Sequence, residues 1–269
     1  MSEKIQKLMN DSPAARWTAL ILIALMMFFG YMFVDVMSPL QSLIEQQRGW
    51  SPDVFGTYAS AEYILNVCGF LILAGIILDK MGVRFTGILS ASMMFAGATI
   101  KYIGITDWFQ TTAFCEWLGT WWVSMPGSAK MAALGFMIFG CGCEMAGTTV
   151  SKAIAKWFKG KEMALAMGLE MATARIGTTL AMVLTVPLAD FFGSTDESGT
   201  FHTNIPAPIL FCLIMLCVGT IAFFLYTFYD KKLDASLDAE GLEPEEPFRM
   251  NDIVYIITNK GFWLIALLC

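Results

Sequence analysis

Six stretches of about 20 mostly apolar residues occupy most of this chain, and they restrict the folds open to it more than any other feature. A helix rises ~1.5 Å per residue, so each stretch can cross a hydrocarbon core of ~30 Å. Composition agrees, because 57% of the side chains are hydrophobic and only 15% are charged, whereas about a quarter of a soluble domain is charged. We therefore predict an all-α membrane protein with six transmembrane helices, at about 17–38, 55–78, 86–105, 131–151, 163–189 and 207–229.

The positively charged residues indicate how these helices are oriented. Thirteen of the 17 Lys and Arg residues lie in the tail, linker and loops on one side of the membrane, whereas the opposite loops hold only Arg48 and Lys130. Because loops rich in Lys and Arg stay in the cytoplasm, we predict a cytoplasmic N-terminus. The net charge of −6 argues against nucleic acid as a partner, since a phosphate backbone requires a clustered basic surface.

The loop between the third and fourth helices is rich in tryptophan. A belt at the membrane interface is the ordinary explanation for such a cluster, and a ligand cage is the alternative. The residues concerned are Trp108, Trp117, Trp121 and Trp122.

The chain divides into four predicted segments. Residues 1–16 form a cytoplasmic tail, and 17–229 form an N-terminal six-helix transmembrane bundle. The polar, acidic stretch 230–260 is predicted to be a cytoplasmic linker with a short amphipathic helix at 253–258. Residues 261–269 are apolar but too short to cross a bilayer, so we expect the start of a seventh transmembrane helix, in a fragment that is inactive by itself.

The turn between the second and third helices carries a recognisable motif. Its residues Gly75, Asp79, Lys80, Gly82 and Arg84 resemble the signature loop of the major facilitator superfamily. The resemblance implies that these are gating residues. In that family the Asp and basic residues form a charge–dipole latch between the two halves of the transporter, which here would involve Asp79 and Arg84, with Gly75 allowing close helix contact and Gly82 a tight turn. An ordinary positively charged loop would explain only Lys80 and Arg84.

A second set of motifs narrows the resemblance. The segments 140–144, 156–162, 168–169 and 174–177 are similar to the branch of this superfamily that contains lysosomal dipeptide uniporters and their bacterial relatives. This implies that Glu144 and Arg175 hold the charged ends of a peptide. In many proton-coupled members the fourth helix carries an Arg near the position of Phe136, and its absence here favours facilitated diffusion.

The residues themselves support a binding role for Glu144 and Arg175. An ionisable group at membrane depth costs several kcal/mol and marks a pathway or an ion pair. Counted from the cytoplasmic loop, Glu144 lies ~12 Å deep and Arg175 ~21 Å, and this offset fits a zwitterion whose ammonium meets Glu144 and whose carboxylate meets Arg175. A structural salt bridge between the two is the alternative.

Further candidates for substrate contact lie in the first two helices. Asp35 and Glu62 are ionisable, and with Lys101 of the third helix they form either a mutual charge network or part of the binding site. Tyr31 and Tyr63 are candidates to line the cavity, although Tyr is also a common interface anchor.

The predicted function is a secondary-active or facilitative transporter of a small zwitterionic solute, a dipeptide or an amino-acid-like molecule, that works by alternating access. The alternatives are a proton-coupled symporter of an organic anion, with Arg175 as ligand and Glu144 as protonation site, and a non-transporting receptor or scaffold. No catalytic arrangement is evident, so we expect no enzyme, cofactor or metal site. The expected partners are the substrate, the lipid bilayer and a missing C-terminal six-helix half, and the expected location is a bacterial inner membrane.

Overall fold

The computed structural model describes residues 9–196, 199–239 and 258–266. Ten α-helices are defined in this part of the chain, with a two-stranded antiparallel pairing of β1 (Ser194–Thr195) and β2 (Phe201–His202). Short 3₁₀ turns cover Met9–Asp11 and Ser38–Leu40, and a π-helical turn covers Asn66–Phe70. The helices are α1 Pro13–Asp35, α2 Gln41–Arg48, α3 Pro52–Leu65, α4 Leu71–Ile105, α5 Asp107–Gln110, α6 Ala113–Gly119, α7 Gly127–Trp157, α8 Met163–Phe191, α9 Pro206–Ala239 and α10 Lys260–Ala266.

Five helical stretches in the described residues are long and apolar enough to cross a membrane, and one of them contains two passes. That stretch, Pro52–Ile105, has 54 residues, or ~80 Å of helix, far more than one bilayer. It breaks at Gly82, where φ is 77° and ψ is 170°, values open to glycine and strained for other residues.

The packing against α7 shows that the chain reverses at Gly82. Before the break, Trp50 bonds Ser128 and Tyr58 stacks on Phe136, so the chain runs parallel to α7. After the break the direction is opposite, because Met94 lies against Gly142 and Gly104 against Ala132. The six-helix bundle predicted from the apolar stretches is therefore confirmed.

Four glycines bring α4 and α7 into backbone contact. A Cβ added at Gly142 would lie 2.7 Å from the Met94 nitrogen, and one at Gly104 would lie 2.7 Å from the Ala132 nitrogen. Gly97 and Gly135 face each other more closely still. Small residues allow this approach, which in a bilayer provides the van der Waals contact that associates helices. By contrast, a Cβ at Gly75 would meet nothing within 4 Å, so the close contact expected at Gly75 is absent among the described residues.

Two ends of the bundle can be named from their side chains. The basic end holds Arg84, Lys152, Lys156 and Lys161. At the Trp-rich end, the Trp50 indole donates to Ser128 Oγ at 3.0 Å, and Lys130 Nζ donates to the carbonyl oxygens of Leu118 at 2.8 Å and Gly119 at 3.0 Å. The four loop tryptophans are exposed by 50–97%, in agreement with an interfacial belt.

Several helices extend past the predicted spans. The first is helical from Pro13, not from 17, and after Asp35 the chain continues through a 3₁₀ turn into α2. The sixth continues to Ala239, so the linker predicted from 230 does not begin there. The reason is that Asp230 and Asp234, four residues apart on one helix face, both pair with cations of the bundle. Residues 240–257, with nearly all of the predicted amphipathic helix, lie outside the described part.

Candidate functional site

A pocket of ≈ 220 Å³ lies between α1, α7 and α8, toward the basic end. It contains one cation and one anion, with apolar and aromatic side chains around them. Its lining residues are Met27, Tyr31, Gly147, Ser151, Glu170, Met171, Ala174 and Arg175. Pockets for drug-sized molecules usually measure ~300–1,000 Å³, so this one suits a smaller solute.

Arg175 presents its charge to this pocket. Its Cζ atom lies 5.6 Å from the centre of the Tyr31 ring, a cation–π contact that orients the guanidinium. No carboxylate oxygen lies within 4.0 Å of it among the described residues. The N–H groups of Arg175 therefore have no anionic partner in the described structure, and a guanidinium is suited to bidentate binding of a carboxylate.

Glu144 approaches the same region from α7. It is partly buried, and Tyr31 lies within electrostatic range of both Glu144 and Arg175. In the described structure the two charged residues do not form an ion pair, so the salt-bridge alternative is not realised in this conformation. The pair remains a predicted substrate clamp.

The relative height of the two residues differs from the sequence estimate. The helix α7 extends to Trp157, so Glu144 lies thirteen residues from its end, and Arg175 lies twelve residues from the start of α8 at Met163. Both are ~18–20 Å from the basic end, because a turn of five residues joins the helices. The ~9 Å offset expected from the sequence was wrong, since it assumed that the fourth helix ended near 151.

The pocket also contains Glu170, which was not singled out from the sequence. Glu170 lies on α8 one and a half turns before Arg175 and is partly buried. An acidic residue inside the predicted span 163–189 is the signal that selected Glu144, so the same reasoning would have found it.

Three of the other residues predicted to contact substrate do not line the pocket. Asp35, at the end of α1, and Glu62, in α3, lie within electrostatic range of Lys101 in α4. Glu62 is 5% exposed and Lys101 is fully buried, whereas Tyr63 is 52% exposed. Of the six residues predicted to bind substrate, Tyr31 and Arg175 therefore line the pocket, Glu144 lies beside it, and Asp35, Glu62 and Tyr63 belong to a second cluster.

Two of the five predicted gating residues, Asp79 and Arg84, take part in separate ion-pair groups at the basic end. Asp79 accepts a hydrogen bond from Lys152 of α7 at 2.8 Å. Arg84 pairs instead with Asp230 and Asp234 of α9. Asp79 and Arg84 thus do not bind each other, and Lys80 is exposed. Their role as a latch remains a prediction.

Asp230 is the centre of the second group. It is 1% exposed and accepts hydrogen bonds from Arg84 at 3.1 Å, from Lys156 at 2.9 Å to each oxygen, and from the Tyr226 hydroxyl at 3.1 Å. The Trp157 indole in turn donates to that hydroxyl at 3.2 Å. The third, fourth and sixth passes are joined at this point.

A further contact clasps the start of the chain to the turn between α7 and α8. Buried Arg16 donates to the Asn10 carbonyl at 2.8 Å and to Glu162 at 3.1 Å, and Lys161 binds Asp11 at 2.7 Å. A hydrogen bond from its own backbone N–H, together with the charge of Arg16, lowers the pKa of Glu162. We call these residues the N-terminal clasp.

Sequence comparison supports a common ancestry with known transporters. The family model described as "Major Facilitator Superfamily" matches residues 20–269. "Lysosomal dipeptide transporter MFSD1" of Gallus gallus is 27% identical over 180 residues, covering 64% of this chain and 39% of the relative. The Bos taurus protein of the same name is 23% identical over 276 residues, covering 100% of this chain and 53% of the relative. The Homo sapiens protein is 22% identical over 265 residues, covering 95% and 50%.

The chain spans about half the length of most of the curated relatives it matches. The family model, in contrast, covers far more than half of the chain, and this confirms the resemblance seen in the signature loop. This multi-pass membrane protein belongs to the Major Facilitator Superfamily.

Proposed function

We propose that the chain provides the substrate-binding N-terminal half of a transporter for small zwitterionic solutes, dipeptides and amino-acid-like molecules first among them, that works by alternating access. The observation that carries the proposal is the ≈ 220 Å³ pocket, where Arg175 has no anionic partner in the described structure and carboxylates lie nearby. The relatives named as dipeptide transporters support the solute class.

The chemistry of the pocket suits both ends of such a solute. The Arg175 guanidinium can hold a carboxylate through two parallel hydrogen bonds, oriented by the Tyr31 ring. An ammonium group can be held by Glu144 or by Glu170, which lie on different helices. The apolar side chain of Met27 can contact the solute between its charged ends.

The charge distribution supports a particular setting for this activity. The N-terminus and the basic end are proposed to face the cytoplasm of a bacterial cell, with the bundle in the inner membrane. A second six-helix half would complete the transport path, because alternating access moves two halves around a site between them. The proposed function does not include an enzymatic activity.

One alternative has a specific observation in its favour. Arg175 is the single cation among the residues that line the described pocket, which suits an organic anion taken up with a proton bound at Glu144. Such a transporter would not require an amine on its substrate. A receptor or scaffold of the same fold would bind solute without flux.

Uptake by proteoliposomes that hold the full-length transporter tests these readings. The probe is radiolabelled dialanine, competed by its N-acetyl derivative and by its C-terminal amide. Wild-type protein is expected to discriminate against both derivatives by roughly 10- to 100-fold, the value of a charge-assisted hydrogen bond of ~1.5–3 kcal/mol.

Three variants assign the charged ends. Arg175→Met should remove discrimination against the amide, whereas Glu144→Gln should remove discrimination against the N-acetyl derivative. If Glu170→Gln does so instead, Glu170 is the ammonium ligand. Glu45→Gln, on the exposed surface of α2, is the matched control. Equal uptake of dialanine and its N-acetyl form by wild type would favour the organic-anion alternative, and absence of flux would favour a receptor.

A further inference from the structure

Lys101 lies in the core of the bundle and has no ion-pair partner among the described residues. Its side chain is fully buried, and its Nζ donates to the Phe33 carbonyl oxygen at 3.3 Å. The same atom lies 3.9 Å from the centre of the Phe136 ring, 4.6 Å from that of Phe33 and 5.5 Å from that of Tyr58. No carboxylate oxygen lies within 4.0 Å among the described residues. We call these three rings the aromatic cage.

The aromatic cage can hold a charged ammonium without a carboxylate. A desolvated cation over a ring face gains ~2 kcal/mol or more, and here three rings and a carbonyl surround one ammonium. Phe136, whose apolar side chain argued against proton coupling in the sequence, is the ring nearest to that charge. Burial opposes the ammonium form of Lys101, whereas the aromatic cage and the nearby Glu62 carboxylate favour it.

Glu62 is the buried acid next to this cage. It is 5% exposed, no cation lies within 4.0 Å of its carboxylate in the described structure, and its backbone is pressed against Gly140 of α7. Burial favours the neutral acid, whereas the nearby charge of Lys101 favours the carboxylate. Because burial and the nearby cation act in opposite directions on Glu62, both its neutral and its charged form are accessible, and the carboxyl group can take up and release a proton.

A line of polar groups leads through this position. Tyr58, Glu62 and Asn66 follow one another at intervals of four residues, so they lie along one side of the helical segment. The Tyr58 hydroxyl and the Asn66 Oδ1 atom are both buried without a hydrogen-bond partner among the described residues. Asn66 also begins the π-helical turn, a feature common at functional sites.

We propose that Glu62 is a proton-binding site of this transporter, with Tyr58 and Asn66 as its polar neighbours on the same side of the helical segment and the caged Lys101 as its counter-charge. In the uptake step the Glu62 carboxylate forms an O–H bond with a proton released by a hydronium ion, which becomes water. The titratable and charged groups that face this site are Asp35 of α1, Tyr58 and Tyr63 of α3, Lys101 of α4, Cys143 and Glu144 of α7 and Cys212 of α9.

Infrared difference spectroscopy of the full-length protein in lipid tests the site without any substrate. Between neutral and alkaline buffer, where exposed carboxyl groups with pKa values of ~4 stay ionised, wild type should show the carbonyl band of a protonated carboxyl group at the lower pH, and Glu62→Gln should lose it. Asp35→Asn and Glu144→Gln should keep it. A band that survives in Glu62→Gln, or that is lost only in Asp35→Asn or Glu144→Gln, would overturn the assignment.

Variants of the counter-charge provide a second readout. Lys101→Met should move the midpoint of the band to higher pH by about one unit or more, since the cation no longer favours the carboxylate, whereas Lys101→Arg should leave it near the wild-type value. If Lys101→Met does not fold, Phe136→Leu removes the nearest cage ring and should move the midpoint in the same direction. A midpoint unaffected by the soluble Lys101 or Phe136 variant would contradict the counter-charge role.

The proposed proton site does not depend on which solute is carried, so its failure can be told apart from the failure of the proposed function. In proteoliposomes, Glu62→Gln should flatten the pH dependence of dialanine uptake. If the band titrates and depends on Glu62 but dialanine is not carried at any pH, the solute class is wrong and the proton site stands. If dialanine is carried but no band depends on Glu62, the proton site is wrong and the transport function stands.

Discussion

Replacing Asp230 with Asn tests whether its ion pairs hold the basic end of the bundle together. Asp230 is 1% exposed and binds Arg84, Lys156 and the Tyr226 hydroxyl. Asn keeps the size of the side chain but removes its charge, so two cations lose their buried anion. Asp234 shares both cations but is itself 34% exposed, which makes Asp234→Asn a matched control.

The expected magnitudes follow from burial. Arg84 and Lys156 are 39% and 23% exposed and both still pair with Asp234, so Asp230→Asn should lose only its charge-assisted hydrogen bonds, about 1.5–3 kcal/mol. A pair exposed by a third contributes about 1 kcal/mol or less. At about 2–4 °C per kcal/mol for a chain of this size, Asp230→Asn should lower the Tm by about 3–12 °C and Asp234→Asn by no more than about 4 °C.

Thermal unfolding in detergent, followed by tryptophan emission, measures both variants against wild type. Trp157 is a suitable reporter, because its indole donates to the same Tyr226 hydroxyl that binds Asp230. The reasoning is refuted if Asp230→Asn melts with wild type, or if the two variants lose the same stability.

Three other perturbations have defined outcomes. Gly135→Leu should destabilise the fold by about 1–3 kcal/mol in thermal unfolding, because its Cβ would meet the backbone of Lys101, whereas Gly75→Leu should be neutral; equal effects would contradict the glycine contact. Gly82→Ala should cost about 1–3 kcal/mol in the same assay, since φ is 77° there, and a neutral result would count against a turn at this residue. The N-terminal clasp should loosen on acidification: the folded pKa of Glu162 is lowered, so its contribution is present above its unfolded value of ~4.3 and is lost as the pH falls through the folded value. Limited proteolysis at acid and neutral pH measures this, and a pH effect as large in Glu162→Gln as in wild type would refute it.

The fold was predictable from the sequence because the bilayer sets the length of each helix. Twenty apolar residues admit few structures in lipid, and the signature turn supplied the glycine that separates the second pass from the third. What local patterns could not supply was the rotation of each helix about its axis. Arg84 pairs with Asp230, which lies 146 residues away in a stretch that its acidity assigned to a linker.

For the candidate site, too, the sequence identified single residues but not which of them lie together. The depth of Arg175 marked it as a candidate in the sequence, but its contact with the Tyr31 ring depends on the packing of α1 against α8. Glu62 and Asp35 resembled Glu144 in sequence, yet the structure places them near Lys101 and away from the pocket. Charge and depth select candidates, and only tertiary packing groups them.

The glycine contact between α4 and α7 also affects how such a protein can diversify. One face of α7 presents Gly135 and Gly142 to the backbone of α4, where any added side chain would collide. Another presents Gly147 and Ser151 to the pocket, where a Cβ at Gly147 would meet only the end of Met27 at 3.8 Å. A side chain added on the first face would cost folding stability. On the proposed function, one added on the second face would change the shape of the solute pocket without disturbing the helix contact.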